Sequence, residues 1–407
     1  MLFEIYIWIA CFISIYVCVF WLIVLGYGYR KKNKVMKEFP LVSFGVPVFN
    51  EAGTIIATLE SLLGLDYPNI EIIIVNDGSS DDTKKIVSEF IRLRKLKNVF
   101  LINQKNSGKG ATLNTAIRKA SGKYFAVFDA DCVADKDALK LMIPCFSDSV
   151  GAVIAGINLR KPKSVIAKMQ RIEYVSASFM RSLMSNIGTL HITHGALSVF
   201  DVEILRKVGG FDEDNLTEDF EVAMRLRSKG FQIKFCEGVF TETKVPESFK
   251  SLWRQRVRWF RGFMRNNIKY RSFILNKKYG LLGRFQIPLE LLMLALVFVS
   301  MSLMAYHIWN YIGNAVFRLV NLGWDSFIFS FDFDGILYGF NFKIFFPIAV
   351  TFALGLYLYI MAHKYLGQKW KFYFPTIIYL FLYPMIRSLQ WFAALMLEIF
   401  GARKRWR

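Results

Sequence analysis

Residues 70–83 read IEIIIVNDGSSDDT. Isoleucine and valine continue to Val75 and then stop at Asn76–Asp77–Gly78. An apolar run of strand length, closed by turn residues, reads as a strand buried on both faces. Ser79, Ser80 and Asp81 then open a helix expected to reach about Lys95. The same alternation extends in both directions. Upstream, PLVSFGVPVFNE (40–51) is an apolar strand running into a Pro/Asn turn. AGTIIATLESLLGL (52–65) spaces Ile55, Leu59 and Leu62 along one helical face, with Thr54 placed to cap it. Downstream, NVFLINQ (98–104) is a strand and KNSGKGATLNTAIRKA (105–120) is a glycine turn opening a helix. KYFAVFDADC (123–132) is a strand ending in acid. Strands alternating with helices imply an α/β fold with a mainly parallel sheet covered on both faces. Ligands bind such sheets beyond the carboxyl ends of the strands. Asp77, Asp129 and Asp131 all fall at those ends.

The chain around this segment has 407 residues, 54% of them hydrophobic, and a formal charge of +20. A water-soluble globule rarely combines the two, and here they occupy different places. No charged residue occurs from Ile5 to Tyr29, about 25 residues or roughly 37 Å of helix, enough to span a bilayer. A signal peptide is disfavoured by Glu4, by the lack of a basic start, and by the YRKKNK that ends the run. A retained anchor over 1–30 is expected, with its basic flank placing Arg30 onward in the cytoplasm. Gln286–Ile312 and Ile344–Ala362 are further spanning candidates within a C-terminal membrane region over 285–407. Pro384 and Arg387 interrupt Phe372–Phe400, so a re-entrant or interfacial arrangement is expected there, which keeps the tail RKRWR inside. Residues 31–247 suit one sizeable cytoplasmic domain. The five cysteines (Cys11, Cys18, Cys132, Cys145, Cys236) lack metal-site spacing and read as packing residues. The basic residues cluster on membrane flanks, which argues against nucleic acid and for lipid headgroups as partner.

Asp129 and Asp131 stand two apart at a strand exit, where side chains of an extended chain point the same way. Both can then face one Mg²⁺ or Mn²⁺ ion, whose other ligands come from water and phosphate. Taken alone, the pair is equally well read as polar residues at a strand end, and NDGS as ordinary turn chemistry. Lys109, in NSGKGA, adds a cation and backbone N–H groups at a helix start, a cradle for phosphate. The spacing is not that of a Walker loop. In GGFDEDNLTEDFEVAMRLRSKGF (209–231), Thr217 can cap a helix whose first turns carry Glu218, Asp219 and Glu221. Helix capping competes there with a second reading, in which Asp219 faces the nucleotide site as a general base.

VPVFNE, VNDGSSDDT, DAD, TED and QRVRW, in that order, resemble membrane-embedded family 2 glycosyltransferases over about Pro40 to Arg265. These include cellulose, chitin, hyaluronan and poly-N-acetylglucosamine synthases. The resemblance implies a cytoplasmic domain of the GT-A type with flanking transmembrane and amphipathic interface helices. It further implies a UDP-sugar donor and a carbohydrate acceptor. By the same resemblance, Asp77 lies near the uracil, Lys109 and Arg258 at the donor diphosphate, and Asp129 and Asp131 at the metal. Asp219 is the catalytic base, and Gln255, Trp259 and Glu218 lie on the acceptor.

The motif QRVRW sits in the helix expected over 248–271. At about 100° per residue, Phe249, Leu252, Trp253, Val257, Phe260, Phe263 and Met264 form one stripe, and Arg254, Arg258, Arg261 and Arg265 lie opposite. That pattern predicts a helix lying along the bilayer surface. Trp259 falls off the stripe, suited to stacking on a sugar ring while Gln255 hydrogen-bonds hydroxyls. Arg256 falls inside the stripe, explained only by snorkelling. A second interface helix is expected over 164–185, with Lys168, Arg171 and Arg181 beside an apolar face. His194, in the loop the family places beneath the acceptor, reads as a loop residue without a catalytic role, with contact to the acceptor as the competing reading. The expected function is inverting, processive synthesis of a β-linked polysaccharide exported through the membrane. The alternative is addition of one sugar to a lipid such as ceramide or diacylglycerol. About four membrane segments are few for a channel, so a homo-oligomer or an accessory membrane subunit is expected.

Overall fold

The computed structural model describes residues 2–28, 38–160, 162–323, 341–368 and 374–401. The basic flank YRKKNK (29–34) and the tail RKRWR (403–407), on which the expected topology rests, lie outside the described residues. The chain divides into two compact units, residues 28–287 with 362–407, and residues 1–27 with 288–361. It opens with helix α1 (Leu2–Gly26).

The larger unit is built on strands β1 (Val42–Val48), β2 (Ile70–Asp77), β3 (Val99–Gln104) and β4 (Tyr124–Val127), linked by helices α2 (Ile55–Leu63), α3 (Thr83–Leu93) and α4 (Lys109–Lys119). Every residue of β2 is buried, as a strand covered on both faces requires. The chain continues through β5 (Val133–Ala134), α5 (Ala138–Met142), β6 (Val150–Leu159), α6 (Val165–Asn186), β7 (Ser198–Asp201) and α7 (Val202–Lys207). It then runs through α8 (Glu218–Ser228), β8 (Gln232–Thr243) and α9 (Phe249–Lys269). The strands form one sheet in the order β3-β2-β1-β4-β7-β6-β8-β5. The β3-β2-β1-β4 half is parallel. β7 is antiparallel to both its neighbours, and β6 and β8 pair in parallel.

Two caps differ from expectation. Thr54 makes no capping bond at α2; its hydroxyl donates instead to the Glu51 carboxylate at 2.6 Å. α3 begins at Thr83 rather than Ser79. Residues 79–81 instead tie to the β1 turn: Ser79 Oγ accepts from the Asn50 amide at 3.0 Å, and Asn50 Oδ1 accepts from the Ser80 amide at 2.8 Å. Tertiary partners here outcompete the local helix start. At α6 the expectation of a start at Ser164 matches a cap, since its Oγ accepts from the Ala167 amide at 3.0 Å.

The smaller unit holds α1 and most of α10 (Ile287–Leu322) and α11 (Phe342–Tyr365). Tyr6 of α1 donates to the Leu296 carbonyl at 2.9 Å, and the Phe3 and His307 rings meet edge-on at 4.9 Å. Phe12, Tyr16, Trp309 and Phe317 are exposed, as suits helices whose solvent is hydrocarbon. Among the described residues, four stretches are long and apolar enough to cross a membrane: 3–26, 282–321, 342–365 and 374–399. They associate the chain with a membrane.

The last of these belongs to the larger unit. It is a short helix α12 (Phe374–Ile377), a π-turn (Ile378–Leu382) and α13 (Tyr383–Ile399). Pro384, in the first turn of α13, lacks an N–H and would clash four residues back. The π-turn opens the helix at that point. α13 packs on α9, with Phe260 stacked on Trp391 at 4.0 Å and Val257 against Ala394. Glu398 pairs with Arg261 at 2.5 Å and with Arg265 at 2.6 Å. The expected lipid-facing stripe of α9 is therefore largely covered by another helix. A helical wheel cannot distinguish lipid from an apolar neighbour.

Candidate active site

The site is assembled where the parallel strands end. Asp77 closes β2 and is buried. Its Oδ1 accepts from Gln104 Nε2 at 2.8 Å and the Ser107 amide at 2.9 Å, and its Oδ2 accepts from the Gly108 amide at 2.9 Å. Asp77 thus holds the glycine turn against the strand edge. Gly78 has φ 73°, and a Cβ there would stand 2.9 Å from the Asn106 amide nitrogen. The turn delivers Lys109, first residue of α4, into the cleft.

Lys109 Nζ lies 2.6 Å from Asp129 Oδ1 and 3.4 Å from Glu218 Oε1. Burial works against its charge, but the carboxylates of Asp129, Glu218 and Asp219 outweigh it and hold the ammonium's pKa well above the ordinary lysine range. Gly195 forms the wall behind this pair. A Cβ there would sit 2.3 Å from Asp129 Oδ2 and 2.5 Å from Lys109 Nζ. The Gly195 carbonyl also accepts from the Asp129 amide at 2.9 Å. The sequence reading passed over Gly195; its only signal was a glycine directly after His194.

Asp129 and Asp131 come together differently from the extended-strand expectation. β4 ends at Val127, and residues 129–132 form a turn closed by the Cys132 amide on the Asp129 carbonyl at 3.1 Å. Asp129 turns to Lys109, while Asp131 Oδ1 accepts from Thr243 Oγ1 at 3.4 Å. Burial, together with Asp129 and Glu51, pushes the Asp131 carboxyl up to about 6. A carboxylate so disfavoured is one that added positive charge would stabilise. Among the described residues no three His, Cys, Asp or Glu side chains converge on one point. Two hard oxygen ligands, with the rest of the shell from diphosphate and water, is what Mg²⁺ or Mn²⁺ beside a nucleotide takes. Asp129 and Asp131 fit that requirement.

Across the cleft, α8 starts at Glu218. Glu218 is 2% exposed and lies against Lys109. Burial, reinforced by Asp219 and opposed by Lys109, pushes its carboxyl up to about 7. Asp219 is half-buried, and its carbonyl accepts from Thr193 Oγ1 at 2.6 Å. Thr217 makes no capping bond; instead it meets α9. Asn266 Nδ2 donates to its Oγ1 at 3.1 Å, and a Cβ on Gly262 would stand 2.3 Å from that oxygen. Arg258 Nη1 donates to the Leu216 carbonyl at 2.8 Å. The QRVRW helix is thereby fixed to the TED loop.

Gln255 and Trp259 meet at a third residue of the motif. Arg256 is fully buried, its Nη1 2.5 Å from Gln255 Oε1 and its guanidinium 4.2 Å from the centre of the Trp259 ring. It forms an ion pair with Glu173 of α6 at 2.7 Å. Snorkelling to water is ruled out, and the partner sits on α6. A lone arginine in an apolar stripe was the available signal, because a buried cation requires a counter-charge. His194 is buried, with Nε2 2.9 Å from the Ala155 carbonyl. Burial first, then Arg181, lowers its pKa to about 3, so the ring is neutral.

The sequence profile of the glycosyltransferase like family 2 matches residues 40–262. A poly-beta-1,6-N-acetyl-D-glucosamine synthase of Staphylococcus epidermidis is 36% identical over 264 residues, covering 62% of this chain and 64% of that protein. The protein of the same name from Staphylococcus aureus (strain MSSA476) is 34% identical over 242 residues, 58% of each. The chain spans less than two thirds of the length of these relatives. Among solved structures, a mannosyltransferase (PcManGT) from Pyrobaculum calidifontis, in complex with GDP-Man and Mn²⁺, is similar over 98% of this chain and 99% of that one. Its TM-score is 0.66 at 19% identity, a likeness of fold. With the mostly parallel GT-A-type sheet, the ordered motifs on its edge and a profile match over more than half its length, the chain belongs to glycosyltransferase family 2.

Proposed function

We propose that the chain transfers N-acetylglucosamine from UDP-N-acetylglucosamine to the growing end of a β-linked polysaccharide, working at a membrane with its sheet domain on the cytoplasmic side. The observation that carries the reading is the Lys109 ammonium set among Asp129 and Glu218 at the carboxyl edge of the parallel sheet, with Asp219 beside it. A cation so placed suits a diphosphate leaving group. The similarity to poly-beta-1,6-N-acetyl-D-glucosamine synthases supports the choice of sugar and of polymer.

In this mechanism an acceptor hydroxyl attacks the anomeric carbon as the bond to the β-phosphate oxygen breaks. Asp219 takes the hydroxyl proton in the transition state. Lys109 and Arg258 offset the charge developing on the departing UDP. One in-line displacement converts an α-linked donor into a β-linked product. Asp77 shapes the turn beside the base, and Gln255 and Trp259 receive the acceptor. Asp129 and Asp131 would hold Mg²⁺ or Mn²⁺, which when bound supplies Lewis-acid stabilisation of the diphosphate. A second copy or an accessory membrane subunit would complete the export path.

The test is incubation of the purified full chain in lipid nanodiscs with single UDP-sugars and either metal. Polymer length, linkage and solvent partitioning are then read. Polymer from UDP-N-acetylglucosamine, in β linkage, is the expected product. One sugar on an extractable lipid would overturn polymer synthesis, and α linkages would overturn inversion.

A further inference from the structure

Arg256 is among the largest fully buried side chains in the protein, and its position is set by three elements. On α9 itself, its Nη1 donates to Gln255 Oε1 at 2.5 Å, and its plane lies over the Trp259 ring at 4.2 Å. From α6, Glu173 Oε2 accepts from its Nη2 at 2.7 Å. From α13, Tyr383 Oη accepts from its Nε at 3.4 Å and donates to the same Glu173 oxygen at 2.7 Å. Burial opposes the Glu173 charge, but Arg256, followed by Arg387, overcomes it and holds the carboxyl below its ordinary value. The pair is largely shielded from water, with the Arg256 and Glu173 side chains 1% and 13% exposed.

We propose that Arg256 is a positioning residue for the carbohydrate acceptor, orienting Gln255 and Trp259 together through one guanidinium. The proposal rests on the reading of those two residues as acceptor contacts. Two consequences follow from the geometry. One face of the Trp259 indole is covered by the cation, so a sugar ring has only the opposite face to stack on. The Gln255 carbonyl is taken by Arg256, so its amide N–H₂ is what remains for an acceptor hydroxyl or acetamido oxygen. Only a planar group with several donors meets all these demands at once. Lysine supplies the charge but neither the plane nor the fork.

The experiment compares wild-type protein with Arg256→Lys and Glu173→Gln, each as the full chain in nanodiscs. KM for UDP-N-acetylglucosamine and for a short β-1,6-linked N-acetylglucosamine oligomer are measured separately. Arg256→Lys is expected to raise the acceptor KM about tenfold, because a single ammonium cannot hold Gln255 and Glu173 and lie flat over Trp259 at once. The donor KM stays within about twofold of wild type, the donor side being untouched by Arg256. Glu173→Gln keeps the volume and an acceptor oxygen, so it carries the test with the arginine retained, and is expected to shift the acceptor KM in the same direction. Acceptor and donor constants that change together, or an acceptor constant unchanged in both variants, would overturn the proposal. A wild-type protein that turns over no UDP-sugar would instead refute the proposed function, so the two failures are distinguishable.

Discussion

Gly195 tests whether the Lys109–Asp129 pair is the working centre of the donor site. Its backbone does not require glycine on conformational grounds, so Gly195→Ala is a steric perturbation alone. The new methyl would lie 2.3 Å from Asp129 Oδ2, 2.6 Å from Asp129 Oδ1 and 2.5 Å from Lys109 Nζ, where ordinary contact begins at 3.4 Å. The carboxylate must therefore retreat by roughly 1 Å, and the 2.6 Å ion pair must rearrange with it. Asp129 and Lys109 side chains are 32% and 25% exposed, so both can swing into the cleft without disturbing the core. The stability loss should lie at the low end of overpacking, about 1 kcal/mol. The catalytic loss should be much larger, because a displacement of about 1 Å in a positioning group can cost on the order of 100-fold in rate, or about 2.7 kcal/mol of barrier. The assay pairs thermal unfolding in nanodiscs with initial rates of UDP release. A variant that melts within a few degrees of wild type and releases UDP at the wild-type rate would refute the placement of the diphosphate beside this pair.

Asp219→Asn should lower transfer by about 10²–10⁴-fold while UDP binding, read by calorimetry, persists; normal turnover would remove Asp219 as the base. Glu218 titrates near 4.5 when unfolded and at about 7 in the fold, so its neutral form is the one the fold favours. Its stabilising contribution is complete below pH 4.5 and is lost as the pH rises through 7. Glu218→Gln should therefore match wild-type stability at pH 4.5 and exceed it by on the order of 1–3 kcal/mol at pH 8; a gap that narrows with rising pH in thermal melts would contradict this. Gly262→Ala brings a methyl to 2.3 Å from Thr217 Oγ1 and 2.5 Å from its Cγ2. It should cost about 1–3 kcal/mol and slow transfer, measurable by melting and by UDP release.

The parallel half of the sheet was legible because runs such as Ile72–Val75 have a single physical explanation, burial on both faces. The motif carboxylates were legible as strand-end residues, but their partners were not. Nothing local announces that Asp77 holds a turn thirty residues away, or that Glu218 lies under Lys109. Thr54 and Thr217 were read as caps because capping is a local rule; Thr54 turned back to Glu51 three residues before it, and Thr217 found a tertiary partner in Asn266. The wheel drawn for α9 located its apolar stripe correctly but gave it the wrong neighbour. Arg256 was the residue that did not fit, and its misfit was the trace of α13. The turn at residues 129–132 hid the actual directions of Asp129 and Asp131, since alternation holds only while the strand lasts.

The contacts between α9 and α13 also bear on where this enzyme can be divided. The family match ends at residue 262, inside α9, which invites production of a soluble catalytic domain cut near that point. Such a fragment would lose Trp391 from the face of Phe260, Glu398 from Arg261, and Tyr383 from the buried Glu173–Arg256 pair. It would then present an apolar stripe and a weakened internal charge pair to water, a combination that favours aggregation. The folding unit of the transferase therefore includes residues more than a hundred positions beyond its last motif. Dissection, chimeras and domain swaps with relatives should carry α9 and α13 as one piece.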